Sequence, residues 1–296
     1  MSIRISYYPG CSGKGTSSEY ETSTTGVCQA LDVDLVEIPD WSCCGSTPAH
    51  TVNHVLSSAL SARNLTLAEQ EGFDTVTTPC PSCLSNLKIA EHKMRKESFR
   101  EAVNELLDQP YGGGVDTKSV LQVLVENVGL DKVRERVKTP LEGLKVACYY
   151  GCIMNRPPEV MDFDDHEHPM AMDNLMEAIG AEVIPFPLKV ECCGASFGIP
   201  QQNIVTTLSG KLLEVAKGLG VDALVTACPL CQMNLDLRQG QINAAQGTQH
   251  SLPIFYFTQL MAKAFDLSDA VQGMKRLIVN PQKALAKIGQ ADKEIA

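Results

Sequence analysis

The chain has 296 residues, with 25 Lys and Arg against 35 Asp and Glu, and a net charge of −10. No basic cluster interrupts that acidic balance, which excludes nucleic acid and anionic membrane surfaces as electrostatic partners. The length suits two domains of ordinary size, and plentiful aliphatic but few aromatic residues suit helices packed on sheets.

The N-terminus, MSIRISYYPGC, shows neither the apolar core nor the small-residue cleavage site of a leader peptide. No run approaches the roughly 18 apolar residues of a membrane span. The expectation is a cytoplasmic protein without membrane insertion. Twelve cysteines are many for a reducing compartment, where structural disulfides are rare, so metal or redox chemistry is the better expectation.

In chain order, the β-rich run Ile3–Tyr8 comes first and leads into YYPGCSGKGTSSEYE. The Gly13-Lys14-Gly15-Thr16 segment hints at a phosphate-binding loop, but the spacing fails. A Walker A loop places two glycines four residues apart and Ser or Thr directly after Lys. Here two residues separate Gly10 from Gly13, and Gly15 follows Lys14. The segment reads instead as a strand-to-helix turn carrying Cys11. A helical pattern over Glu19–Leu31 follows, then a short strand, Leu35–Ile38, stopped by Pro39. The pair Cys43-Cys44 precedes Gly45. A helix over Ala49–Gln70 and a strand over Thr75–Thr78 lead to Cys80-Pro81-Ser82-Cys83.

Residues 95–143 read as a linker and helical insert. A loop around Gly112, Gly113 and Gly114 precedes the helical pattern SVLQVLVENVGLDKVRERV. The order of parts then repeats. A strand over Leu144–Tyr150 leads to Cys152, and a strand over Val183–Phe186 containing Pro185 leads to Cys192-Cys193-Gly194. A helix over Asn203–Leu219 and a strand over Ala223–Thr226 lead to Cys228-Pro229-Leu230-Cys231. The offset between copies is 141 residues at the lone cysteine, 149 at the cysteine pair and 148 at the final motif. The expected division is residues 1–94 for the first repeat, 95–143 for the insert, 144–265 for the second repeat and 266–296 for a basic tail that docks or frays.

Strands alternating with helices predict parallel sheets with crossover helices. The expected class is therefore α/β: two homologous Rossmann-like repeats related by pseudo-two-fold symmetry, with a helical insert. The cysteines fall just past strand ends, where ligands gather in open α/β sheets. Structural zinc wants four ligands in a tetrahedron, and an adjacent pair serves one small ion poorly. An iron–sulfur cluster several ångströms across can take both neighbours, but a cubane needs four cysteines and each copy offers five. The fifth is a free thiol, a switching ligand or the mark of a larger cluster.

The paired pattern Cys…Cys-Cys-Gly…Cys-x-x-Cys resembles the cysteine-rich CCG domain. Over roughly residues 4–265 the chain is similar to the B subunit of heterodisulfide reductase and its bacterial relatives. The stretches YYPGCS, LVEIPDWSCCG, PCPSCLSNLK, FDDHEHPMAMDNLMEAIGA, PFPLKVECCGASFG and CPLCQMNLDLRQ carry the likeness. The resemblance implies two non-cubane [4Fe-4S] clusters. Cys11, Cys43, Cys44, Cys80 and Cys83 would hold one, and Cys152, Cys192, Cys193, Cys228 and Cys231 the other. It also implies reduction of a disulfide in a cavity between them, with electrons arriving through a ferredoxin-like C subunit and a flavoprotein A subunit. The substrate expected is a thiol or disulfide of unassigned identity. The alternative is an electron-transfer iron–sulfur subunit of a flavin-linked oxidoreductase. The chain lacks the tandem CxxCxxCxxxCP motifs expected of a fused relay.

Outside the ligand set, His166 and His168 are candidate proton donors to a product thiolate. Lys14, Arg156 and Lys189 are candidates to attract an anionic substrate. His50 and His54, one helical turn apart, lack a third partner for a metal site. Cys28 and Cys148 read as small buried hydrophobes, and Gly45 and Gly194 as positions of close backbone approach.

Overall fold

A computed structural model describes residues 2–46 and 49–290. Strands β1 (Ile3–Tyr7), β2 (Val33–Glu37), β3 (Thr75–Thr78) and β4 (Asp116–Ser119) form one parallel sheet in the order β2-β1-β3-β4. Strands β5 (Lys145–Tyr149), β6 (Glu182–Val183), β7 (Ala223–Thr226) and β8 (Ile254–Tyr256) form a second in the order β6-β5-β7-β8. Every strand pairing is parallel. The identical order in both sheets is the three-dimensional counterpart of the repeated cysteine pattern.

Each crossover is helical. In the first copy α1 (Ser18–Ala30) joins β1 to β2, α2 (His54–Gln70) joins β2 to β3, and α3 (Pro81–Met94) follows β3. A helical turn, α4 (Val120–Gln122), leaves β4. The second copy repeats this with α5 (Ala171–Ala178), α6 (Gln202–Gly218), α7 (Pro229–Gln232) and, after β8, α8 (Phe257–Ala264).

Period-two alternation sorts the strand residues between cores. In β5, Val146 and Cys148, with Tyr150 just beyond, enter a central core, while Ala147 and Tyr149 enter an outer one. In the first copy Ile5 and Tyr7 face the central core and Tyr8 the outer one. The central core is common to both copies. There α8 of the second packs on α1 of the first, and α4 of the first packs on α5 of the second. That reciprocal exchange is what a pseudo-two-fold relation produces. At its centre Tyr20 from α1 stacks on Tyr256, ring centroids 4.0 Å apart and planes 1° from parallel. The Tyr20 hydroxyl donates to the Ala227 carbonyl at 3.2 Å.

Several sequence expectations need correction. The 95–143 stretch is not only linker and helix, because Asp116–Ser119 pairs with β3 as the fourth strand. Its sequence, DTKS, carries no apolar run to announce it. The helical pattern after it breaks at Gly129, where φ is +87°. The expected Ala49–Gln70 helix is two, Ala49–Val52 and His54–Gln70, divided by Asn53. The extended backbone of Asn53 and a side chain accepting from Val55 N and Leu56 N make it the cap of the second helix. The expected strand Val183–Phe186 shortens to Glu182–Val183, since Pro185 has no N–H to offer the ladder.

The tail docks through residue 290. Asp236 accepts from Ile278 N at 2.7 Å, Lys287 pairs with Asp222, and Gly289 N donates to the Glu142 carbonyl at 2.8 Å. The final residues of the expected tail, 291–296, lie outside the described residues.

Candidate metal centres and the cavity between them

All ten motif cysteines lie past the carboxyl ends of strands, as the sequence places them. Cys11 follows β1, Cys43 and Cys44 follow β2, and Cys80 and Cys83 flank the start of α3. Cys152, the Cys192-Cys193 pair, Cys228 and Cys231 hold the matching places after β5, β6 and β7. In each copy the second thiol of the cysteine pair meets the last thiol of the CxxC motif. Cys44 Sγ and Cys83 Sγ are 3.6 Å apart, and so are Cys193 Sγ and Cys231 Sγ. Cys80 also lies within thiol hydrogen-bonding reach of Cys83, and Cys192 of Cys152. Burial, and after it the nearby Cys43, Cys44 and Cys80, raise the Cys11 thiol.

The turns that bring these sulfurs together are built alike. The Tyr8 hydroxyl donates to the Ser42 carbonyl at 2.7 Å, and the equivalent Tyr149 hydroxyl donates to the Glu191 carbonyl at 2.7 Å. Ser61 Oγ donates to the Cys44 carbonyl at 2.9 Å, and Ser209 Oγ to the Cys193 carbonyl at 2.8 Å. Each cysteine pair is therefore clamped from the strand side and from the following helix. The positive φ of Gly45 (+78°) and Gly194 (+99°) turns the chain directly after the pair. A Cβ on Gly10 would stand 2.9 Å from Cys83 Sγ, and one on Gly151 3.0 Å from Cys231 Sγ. Only a bare backbone leaves these sulfurs room.

Backbone and side-chain donors point at the sulfurs. Gly194 N lies 3.3 Å from Cys192 Sγ, and Asn234 Nδ2 lies 3.4 Å from Cys193 Sγ. The N–H groups of Ser82 and Cys83, at the open start of α3, face Cys80. The Cys83 thiol and these amides bring Cys80 down to about 7 against the opposing effect of burial. Cys152 brings Cys192 down to about 6, and Cys231 with Asn234 and the Ala195 amide brings Cys193 down to about 7. The partners that donate, Cys83, Cys152 and Cys231, move up correspondingly. Each copy therefore favours thiolate at part of its set near neutral pH, the form in which cysteine ligates metal.

Among the described residues, no three His, Cys, Asp or Glu side chains surround one point where a single ion would sit. The thiols stand as close pairs with a more distant rim, and amide donors face them. That donor set fits a multi-iron sulfide cluster, which takes thiolate ligands at several corners and hydrogen bonds at its sulfurs.

Residues beside the cysteines of both copies wall one cavity of about 480 Å³. The first copy contributes Ser46, two residues past Cys44, and Ser82, between Cys80 and Cys83. The second contributes Ile153, next to Cys152, Ala195, two past Cys193, and Leu230, between Cys228 and Cys231. The remaining lining comes mainly from α3 and from the segment 50–58. The sulfurs are not themselves among the lining groups. A larger hollow of about 680 Å³ lies under the docked tail, well removed in sequence from every cysteine.

The other candidates are placed differently. His166 and His168 are exposed on a loop whose own hydrogen bonds define it: Asp165 accepts from Glu167 N and His168 N, both at 2.7 Å. Neither histidine lines the cavity. Arg156 is occupied by Glu167 at 2.6 Å and by the His166 carbonyl at 3.0 Å. Lys14 is occupied by Glu37 at 2.7 Å. Lys189 is buried, with Nζ 2.7 Å from Asp173 and 2.8 Å from the Pro169 carbonyl. Its own carbonyl receives Tyr150 N and Gly151 N, so it braces the turn into Cys152. None of the three cations is free to meet a ligand in the cavity. Histidine does reach the cavity, as His50 and His54, which the sequence pairs by spacing but assigns to nothing. Sequence reasoning missed Lys93. Its signal was the spacing of 82, 85, 86, 89 and 93, one polar-edged face of α3. Cys28 and Cys148 are buried in the central core, where burial raises both thiols, Cys28 to about 12.

The CCG model, described as a cysteine-rich domain, matches residues 5–88 and again 146–236. The B subunit of the ferredoxin:CoB-CoM heterodisulfide reductase of Methanosarcina mazei is 30% identical over 96% of this chain and 97% of its own length. The 8-methylmenaquinol:fumarate reductase membrane anchor subunit of Wolinella succinogenes is 30% identical over 96% of this chain and 99% of its own. Among the described residues of this chain no helix is long and apolar enough to cross a membrane. A crystal structure of a hypothetical protein from Helicobacter pylori superposes with a TM-score of 0.73 at 12% identity, over 93% of this chain. This chain spans about half of that longer one, at 52%, and the likeness is one of fold alone. Two family matches, each enclosing one complete five-cysteine set, and near full-length relatives lead to one statement: the chain belongs to the family of heterodisulfide reductase B subunits, built from tandem CCG cysteine-rich domains.

Proposed function

We propose that this chain is the sulfur-acting subunit of an oxidoreductase complex. Cys11, Cys43, Cys44, Cys80 and Cys83 hold one iron–sulfur cluster, and Cys152, Cys192, Cys193, Cys228 and Cys231 hold a second. Both are [4Fe-4S] clusters of the non-cubane kind, a reading supported by five thiols in each set where a cubane takes four. A thiol–disulfide or persulfide couple is turned over in the cavity beside them. The observation that carries this reading is the shared cavity, walled by the neighbours of both cysteine sets. Bound clusters supply single electrons, and two sources on opposite sides suit the symmetric scission of an S–S bond.

The protein's own part is positional. The clamps from Tyr8, Tyr149, Ser61 and Ser209 fix both cysteine pairs relative to their sheets. The shared core holds the two sheets to each other, so the spacing across the cavity is set by packing and not by loops. Electrons reach the chain from partner subunits, a ferredoxin-like one and a flavoprotein; relatives named as subunits of reductases support membership in such a complex.

A second reading, an electron relay without sulfur chemistry, is favoured by the Wolinella relative, which is named as part of a quinol:fumarate reductase. Anaerobic purification with iron and sulfide counted per chain tests both, followed by disulfide turnover with a reduced viologen. Iron and sulfide together with thiol release support the first reading. Intact clusters without thiol release from any disulfide leave the relay. Zinc without sulfide overturns both.

A further inference from the structure

The cavity walls are unlike on their two sides. From the first copy come His50, His54 and Lys93, set among the hydroxyls of Ser57, Ser58 and Ser85. From the second come Ile153, Ala195, Ser196 and Leu230, with no titratable group. Among the described residues no Asp or Glu lines the cavity, although the chain as a whole carries −10. Lys93 pairs with no acidic side chain among the described residues. The cations that adjoin the cysteines in sequence, Lys14, Arg156 and Lys189, are each matched by a carboxylate. Lys93, the one lysine that lines the cavity among the described residues, is not.

The repeat isolates the cause. The residue equivalent to Lys93 at the 148-residue offset is Gln241, and His54 corresponds to Gln202. Neither equivalent lines the cavity. The scaffold is duplicated, but its cationic wall is not.

Resting on the proposed sulfur chemistry, we infer that Lys93 is the specificity-determining residue of this cavity: it receives the single anionic group of a small, lopsided disulfide, whose uncharged half lies against Ile153, Ala195 and Leu230. A volume of about 480 Å³ admits a small molecule and no folded protein. A cation in a concave, carboxylate-free wall attracts an anion, while the opposite wall offers nothing to a second charge. Carboxylate, phosphate and sulfonate share this chemistry. The reaction balances as one disulfide plus two electrons plus two protons giving two thiols, the electrons coming from the reduced partner subunit. The thiol bearing the anion is released on the first-copy side.

The test uses the anaerobically purified, iron-loaded protein and two readouts. Calorimetry measures binding of three-carbon thiols that end in a carboxylate, a phosphate, a sulfonate, a hydroxyl or an amine. Turnover is measured with mixed disulfides carrying no charge, one anion or two. The expected result is binding about tenfold tighter for an anionic thiol than for the hydroxyl one, the range of one charge-assisted hydrogen bond. The order among the three anions identifies the headgroup. Lys93→Ala removes the preference, Lys93→Arg keeps it, and Lys93→Glu transfers it to the amine. The singly charged disulfide has the lowest KM in the wild type. Equal binding of hydroxyl and anionic thiols by the wild type, or a preference that survives Lys93→Ala, overturns the inference even if disulfides are reduced. Selective binding that depends on Lys93, with no disulfide turned over, upholds the anion site and overturns the sulfur chemistry instead.

Discussion

The two cysteine sites share a scaffold and differ in their surroundings. The sheets have one strand order, and the matching Sγ–Sγ pair, Cys44–Cys83 or Cys193–Cys231, is 3.6 Å apart in both. Yet Cys11 and Cys43 of the first copy are exposed, where the equivalent Cys152 and Cys192 of the second are half-buried. Asn234 donates to Cys193 Sγ, while its equivalent Asn86 donates to the Ser82 carbonyl at 2.8 Å. After the cysteine pair, the first copy presents His50 and His54 and the second the exposed Phe197 and Ile199. The duplication has kept the groups that build a site and changed those that surround it. Duplicated sites need not be duplicate functions.

The largest test of that comparison removes a proposed ligand from one copy at a time. Cys44→Ala and Cys193→Ala each delete one member of a close pair. If the copies hold separate clusters, each variant should lose about half of the wild-type iron and sulfide, and the double variant nearly all. On the proposed chemistry, which takes one electron from each of two donors, thiol release should vanish in all three. Metal analysis beside turnover reads both. A single variant that loses all its metal would show that the sites assemble as one.

A middle-sized effect comes from α3. Glu91 is half-buried against β4, where desolvation raises its carboxyl to about 7 despite a hydrogen bond from Thr117. The second copy carries Gln239 at the equivalent place, its amide satisfied by the Leu235 and Leu252 carbonyls at 2.7 and 2.6 Å. A carboxyl whose folded pKa is raised favours the folded state while protonated. Below about 4.5 it imposes no penalty in either state; the penalty grows as pH rises to about 7 and is then constant. Glu91→Gln makes the first copy resemble the second. It should stabilise the chain at pH 8 by on the order of 2 kcal/mol and leave stability near pH 5 little changed. Denaturant melts of wild type and variant at both pH values would show this. An equal shift at both would mean that packing, not ionisation, separates Glu91 from Gln239.

How much of this was legible beforehand divides along the same line. The repeated cysteines and the β-rich runs ahead of them exposed the duplicated α/β plan, because period-two strands and strand-end turns are local signals. The fourth strand of the first sheet was not legible. DTKS has no apolar alternation, and it is a strand because β3 offers it an edge. Nor was the lining of the expected cavity legible. Lys14, Arg156 and Lys189 adjoin cysteines in sequence, yet each is spent on a carboxylate that only the fold brings near. Lys93 lies eleven residues beyond Ser82, about three helical turns along the same face of α3, and both line the cavity.

The smallest effect concerns the one side-chain amide that distinguishes the sites. Asn234 Nδ2 is shared between Cys193 Sγ at 3.4 Å and the Ala195 carbonyl at 2.9 Å, so it holds the turn and also touches a sulfur of the proposed ligand set. A donor to a ligand sulfur stabilises the more negative, reduced state of a cluster. Asn234→Ala should therefore lower the potential of the second-copy cluster alone. For a bond worth about 1 kcal/mol and a one-electron couple, the shift is on the order of 40 mV. Asn86→Ala should move neither signal, because its amide faces a carbonyl and no sulfur. Redox titration followed by electron paramagnetic resonance separates this from a structural role. If Asn234 only ties the turn, its loss reduces second-copy iron and leaves the potential of what remains unchanged. Equal potential shifts from both asparagine variants would mean that the two sites are electrostatically one, and the contrast between the copies would then stop at their surfaces.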